Sequence, residues 1–207
     1  LYTKLAVDFD SYCGESFYQD KMDDVIEDLE KEDILVENEG AKIVEFEDMS
    51  PAIIVKNDGA TTYMTRDLAA LKYRKETYDF DKILYEVGND QKLHFKQLFT
   101  IGKKIGYLDD EAVHVNHGMY RFETSSMSTR KGQTVFMGDV LNQAVGKVKE
   151  VIQEKNPDLE KKDDVAESVG VGSILFFDLK NDRVKDIVFD WDDIIDFEGD
   201  TGPYLQY

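Results

Sequence analysis

Between residues 81 and 117 the chain spells a strand, a glycine, a helix and a second strand, and this order narrows the fold more than any other feature. Ile83-Leu84-Tyr85-Glu86-Val87 is rich in β-branched and aromatic residues and reads as a buried strand. Gly88-Asn89-Asp90 interrupts it. From Gln91 to about Lys104 a helix is expected, with His94, Leu98, Ile101 and Ile105 on one stripe. Ala112 to His117 is the next strand. A strand, a glycine and a helix whose first turn carries polar side chains, here Gln91 and His94, is the usual seat of a ligand in an open α/β sheet. Taken singly, His94 is as well read as a packed or surface histidine. His114 and His117 lie three apart on a strand, hence on opposite faces, which argues against a shared metal.

Upstream, Leu5 to Asp10 is a possible strand in which Asp8 and Asp10 more often mark a solvated face than a metal site. Asp20 to Asp33 is an amphipathic acidic helix: Met22, Val25, Ile26 and Leu29 fall on one stripe. Lys42 to Phe46 and Ala52 to Lys56 read as a hairpin, followed by an Asn57-Asp58-Gly59 turn. A helix follows, with Thr65 as its candidate cap. If its first turn begins near Tyr63, then Tyr63 and Asp67 stand one turn apart on one face. A phenol beside a carboxylate suits a cationic, hydrogen-bonding ligand. The same two residues also fit a half-packed tyrosine and an aspartate favoured by the helix dipole.

Downstream, Ser125-Ser126-Met127-Ser128-Thr129-Arg130-Lys131-Gly132 concentrates small hydroxyls, two cations and a glycine. Such a loop can wrap a polyphosphate with its backbone N–H groups and positive charge, although a solvated basic turn has the same composition. Val135-Phe136 reads as a short strand. Asp139 to Gln153 and Asp164 to Leu179 read as helices, with Gly170 and Gly172 allowing close packing. This Gly-x-Gly lacks the preceding strand and third glycine of a dinucleotide fingerprint. Ile187 to Trp191 is extended, and Thr201 caps an opening helical turn.

Composition bounds the partners. With 25 Lys and Arg against 44 Asp and Glu, the net charge of −19 disfavours non-specific binding to nucleic acid or anionic membrane, so any polyanion must meet local basic sites. Hydrophobic residues at 42% suffice for a packed core. The single cysteine, Cys13, forms no intramolecular disulfide and fits a reducing compartment. No apolar run reaches membrane length. The chain opens at Leu1 and closes within a helical turn, which reads as an internal fragment.

In this order the motifs resemble the arginyl-tRNA synthetases of class I. Asp58 to Asp67, continuing through Lys72-Tyr73-Arg74, is similar to that family's signature near the amino-acid pocket. Gly88-Asn89-Asp90-Gln91 with His94-Phe95 is similar to its next motif, and Met127 to Gly132 to its variant of the K-M-S-K-S loop. Thr201 to Tyr207 resembles the end of its catalytic region, and Leu1-Tyr2 and Gly14 to Tyr18 fit as well.

The resemblance implies the second half of a Rossmann-like catalytic domain, a parallel sheet flanked by helices, with a small hairpin and C-terminal helices. It implies a strand, acidic-helix and hairpin segment over 1–57, the arginine- and ATP-site motifs over 58–137, and a helical connection toward an anticodon-binding domain over 138–207. Tyr63, Asp67 and Gln91 would bind arginine. His94 would lie close to ATP, Met119 and Met127 would border the adenine, and Ser128, Arg130 and Lys131 would stabilise the phosphates, with Mg²⁺. Two lysines usual in the loop are replaced by Ser126 and Thr129, and the HIGH motif is not in these residues. The implied parent is a cytoplasmic, monomeric ligase of arginine, ATP and tRNA(Arg) without membrane attachment, of which this fragment alone would be inactive. Two other classes share parts of the pattern: an adenylyltransferase that uses no tRNA, and an acidic binding module for a cationic ligand. The module has no need of the 127–132 loop, and tRNA charging separates the two enzymes.

Overall fold

The structure is a computed structural model that describes residues 1–109, 111–122, 135–196 and 199–206. The chain forms two compact units, one of residues 11–116 and the other of residues 1–10 with 117–207.

The 11–116 unit opens with a 3-10 turn over Glu15–Lys21 that runs into helix α1, Met22–Lys31. The apolar stripe read from the sequence is the buried face: Val25 and Leu29 are fully enclosed. Strands β1 (Val36–Asn38), β2 (Ala41–Val44) and β3 (Ala52–Val55) follow as an antiparallel sheet in that order. The expected hairpin is β2–β3; β1 adds an edge. Glu39 and Gly40 turn β1 into β2 with φ of 51° and 81°, the doubly positive pair of a tight hairpin turn.

Helix α2, Tyr63–Tyr78, then leads to β4 (Lys82–Gly88), a 3-10 turn (Asn89–Gln91), helix α3 (Lys92–Lys104) and β5 (Glu111–His117). Strands β4 and β5 are neighbours. The Glu111 N–H donates to the Asp81 carbonyl just before β4, and the His114 side chain lies 3.0 Å from the Val87 carbonyl, so the two strands run in the same direction, joined by a helical crossover. Leu68 and Leu71 of α2 and Leu98 and Ile101 of α3 are fully buried with Leu29 and Ile54, so helices and hairpin share one core. Across it Asp28 of α1 accepts from Lys72 Nζ and from the Tyr107 hydroxyl, both at 2.6 Å. These bonds hold its carboxyl far below the usual carboxylate range.

In the other unit β6 (Tyr120–Phe122) runs parallel to β7 (Ile187–Phe189). Helices α4 (Met137–Lys155) and α5 (Lys162–Lys180) are a packed pair of 19 residues each, followed by short helices α6 (Trp191–Ile194) and α7 (Gly202–Gln206). A Cβ on Gly170 would stand 2.8 Å from the Val145 backbone, so α5 meets α4 at a distance only glycine permits.

Two expected strands are absent. Leu5 to Asp10 is not a strand: Tyr2–Leu5 forms a 3-10 turn closed by Ala6 at φ 52°. The Tyr2 and Phe9 rings meet edge-on at 4.7 Å, curling the segment on itself. Val135-Phe136 is not a strand either, because the Phe136 carbonyl accepts the first N–H groups of α4, from Asp139 and Val140. Along the chain the two compact units meet between residues 10 and 11 and between residues 116 and 117.

Candidate functional site

The first turn of α2 is fastened to the hairpin by two hydroxyls. Thr62 Oγ1 donates to the Ile53 carbonyl and Thr65 Oγ1 to the Ile54 carbonyl, both at 2.6 Å. The Thr62 N–H reaches Thr65 Oγ1 at 3.4 Å and Ile54 O at 3.2 Å. Thr62 is therefore the N-cap, and the expected cap, Thr65, is its partner three residues on. The helix starts at Tyr63, which puts Tyr63 and Asp67 one turn apart, as the cationic-ligand reading requires.

Tyr63 is 71% exposed, and the Arg66 guanidinium stands 5.4 Å from its ring centroid. Arg66 is held in turn by Glu15, Nη1 to Oε2 at 2.6 Å. Its Nε is buried without a hydrogen-bond partner among the described residues. Further along α2, Arg74 lies between the Tyr18 and Tyr85 rings at 5.8 and 5.3 Å. Burial raises the Tyr85 phenol, and Arg74 only partly opposes this.

The start of α3 supplies the second half of the site. Asn89–Gln91 forms the 3-10 turn after β4, and Asn116 Nδ2 donates to Asn89 Oδ1. Gln91 is the exposed N-cap of α3. His94, one turn on, brings Nε2 to 2.6 Å from Asp67 Oδ2. The Asp67 side chain is 40% exposed and that of His94 23% exposed, so the pair borders solvent.

Of the site residues expected from sequence, Asp67 and His94 are brought into contact, Tyr63 shares the helix face of Asp67, and Gln91 opens the helix of His94. Met119 belongs to the other unit. Its side chain is exposed, while its N–H donates to Asp186 Oδ1 at 2.9 Å and its carbonyl accepts from Ile187 N–H at 3.0 Å. That N–H and Arg121 draw the Asp186 carboxyl below its usual range. Met127, Ser128, Arg130 and Lys131 lie outside the described residues. Sequence reasoning passed over Thr62 as a cap and over the tie between Glu15 and Arg66. A Thr-x-x-Thr pair at a helix start was a readable signal for the first; a contact across 51 residues had none.

The family model for the catalytic domain of class I (R) tRNA synthetases matches residues 1–191. The chain is 54% identical to the arginine–tRNA ligase of Halothermothrix orenii and 52% identical to that of Clostridium kluyveri, with all of this chain and 37% of each relative covered. It thus spans just over a third of the length of these relatives. Among solved structures, the arginyl-tRNA synthetase of Plasmodium falciparum superposes on 99% of the chain, and on 35% of its own, with TM-score 0.84 at 25% identity. The Thermus thermophilus arginyl-tRNA synthetase shares the fold over 91% of the chain and 38% of its own, with TM-score 0.76 at 21% identity.

Proposed function

We propose a role in arginine activation for this chain, which belongs to the class I arginyl-tRNA synthetase catalytic-domain family by its match over residues 1–191. The parent enzyme joins arginine to ATP, releasing pyrophosphate and giving arginyl-adenylate, and then passes the arginyl group to a hydroxyl of the terminal adenosine of tRNA(Arg). The arginine carboxylate is already ionised and needs no strong base, so catalysis rests on positioning and on charge stabilisation.

The observation that carries this reading is the Asp67 carboxylate, solvent-bordering, one helical turn from an exposed Tyr63 and fixed by a hydrogen bond. A carboxylate presented in this way pairs with a cation and discriminates against neutral side chains. Asp67 and Tyr63 take the cationic groups of arginine, and Gln91, exposed at the head of α3, lines the same pocket. On the nucleotide side, Met119 and Met127 border the adenine. Because the Met119 N–H and carbonyl are both engaged within their unit, its exposed side chain is the part available to the base. Ser128, Arg130 and Lys131 take the phosphates. Mg²⁺ would arrive with the ATP, held on its phosphates. No helix among the described residues is long and apolar enough to cross a membrane. A cytoplasmic monomer belongs to the same reading.

Asp67→Asn in the full-length protein tests it by ATP–pyrophosphate exchange. The arginine KM should rise about 10- to 150-fold, the equivalent of losing a charge-assisted hydrogen bond of about 1.5–3 kcal/mol, while the ATP KM stays within about twofold. Equal losses for both substrates would point to misfolding and remove the assignment.

A further inference from the structure

Asp67 has an unusual neighbourhood for a carboxylate offered to a cation. Two arginines share its helix, and both are engaged elsewhere: Arg66 with Glu15 at 2.6 Å, and Arg74 with the Tyr18 and Tyr85 rings. The group that does touch Asp67 is an imidazole, His94 Nε2 at 2.6 Å from Oδ2. A lysine or arginine at this distance would neutralise the carboxylate. An imidazole with its proton on Nε2 orients the carboxylate through one N–H.

His94 is well supported for this. It sits in the first turn of α3, and its ring meets Phe95 edge-on at 5.5 Å and 86°. Phe95 is buried against the His114 ring at 4.5 Å, and His114 Nε2 lies 3.0 Å from the Val87 carbonyl. The imidazole is thus set against a wall that begins in the sheet. The start of α2, the helix that carries Asp67, is fastened to β3 by two threonine hydroxyls.

We infer that His94 is a positioning residue for arginine recognition: its Nε2–H commits one Asp67 oxygen and aims the other at the cationic group of the substrate. This rests on the reading that Asp67 binds arginine. It gives His94 a role in the amino-acid half of the site, where the family resemblance alone had placed it beside ATP.

The test is ATP–pyrophosphate exchange in the full-length protein with arginine and ATP varied separately. His94→Ala should raise the arginine KM about tenfold and leave the ATP KM within about twofold, the range of one oriented hydrogen bond. His94→Gln, which returns an N–H donor at similar reach, should recover most of that loss. In an Asp67→Asn background His94→Ala should add less than about twofold, because the group it positions has gone. A rise in the ATP KM with the arginine KM unchanged, a Gln variant no better than Ala, or full additivity with Asp67→Asn would each overturn the inference. An Asp67→Asn protein with an unchanged arginine KM would instead remove the reading beneath it. For the unmodified protein, ¹⁵N shifts must show His94 carrying its proton on Nε2; an Nδ1–H tautomer also overturns the inference, independently of whether any variant folds.

Discussion

The two compact units use charge differently. In the 11–116 unit, polar side chains reach between elements and set geometry: Asp28 joins α1 to Lys72 of α2 and to Tyr107, Thr62 and Thr65 join α2 to β3, and Asp67 joins α2 to His94 of α3. In the other unit the long helices α4 and α5 meet through Val140, Leu141, Ala144, Val171 and Ile174, with Gly170 at the closest approach. Its ion pairs, such as Lys149–Asp163 at 2.6 Å, stand in solvent. The other unit has polar contacts between elements too, Tyr120 of β6 donating to Asp178 of α5 and the Met119 N–H to Asp186, but its two long helices meet by shape. The same charged residue types therefore carry different weight in the two regions.

Four substitutions can break this contrast, the largest expected effect first. Gly170→Leu puts a side chain where a Cβ already meets the Val145 backbone at 2.8 Å. It should destabilise α4–α5 by about 3 kcal/mol, read by urea unfolding. An effect under about 0.5 kcal/mol would mean that the helices are not held at the spacing seen.

Asp28→Asn comes next, at about 2 kcal/mol, because it weakens the bonds to Lys72 and Tyr107 at a carboxylate only 25% exposed. The pH dependence has a definite sign. The folded-state pKa of Asp28 is lowered, so its contribution is fully present above the unfolded value of about 3.9 and fades as pH falls toward the folded one. The gap between wild type and Asp28→Asn should accordingly be constant from about pH 5 to 7 and shrink below about pH 4. A gap that persists undiminished at lower pH would assign the loss to packing.

Thr65→Val should cost about 1 kcal/mol, since the Ile54 carbonyl keeps the Thr62 N–H when the hydroxyl is lost. It should also raise the arginine KM severalfold through the start of α2. A stability loss with unchanged KM would separate the helix anchor from the site. Lys149→Ala should leave the melting temperature unchanged, because the Lys149–Asp163 pair is exposed on both sides. A clear drop would show that surface pairs matter in this unit after all.

Much of the architecture could be read from residue periods. The 3.6-residue stripe of Met22, Val25 and Leu29 and the apolar face of α4 became the elements expected of them, and the β-branched run before Gly88 became a strand, although not a buried one: β4 alternates exposed and half-buried residues, with Leu84 on its exposed face. The two failed strands, at 5–10 and 135–136, show the weakness of short runs. A strand is completed by a neighbour's backbone, and here a 3-10 turn, which takes the Ala6 and Val7 N–H groups to the Thr3 and Tyr2 carbonyls, and a helix N-terminus claimed those groups first. Half of the site was legible for the same reason. Tyr63 and Asp67 are related by one helical turn, a property of local geometry.

The sequence by itself determined the residue types of the site, the helix that sets Tyr63 beside Asp67, and the strand–glycine–helix order that puts Gln91 and His94 in one first turn. Only the tertiary structure decided that His94 meets Asp67 and that Arg66 answers to Glu15. Periodicity is written in neighbouring residues by the fixed rise and twist of the backbone. Contacts across 27 or 51 residues arise only when a shared core draws the elements together, and that is a property of the whole packing.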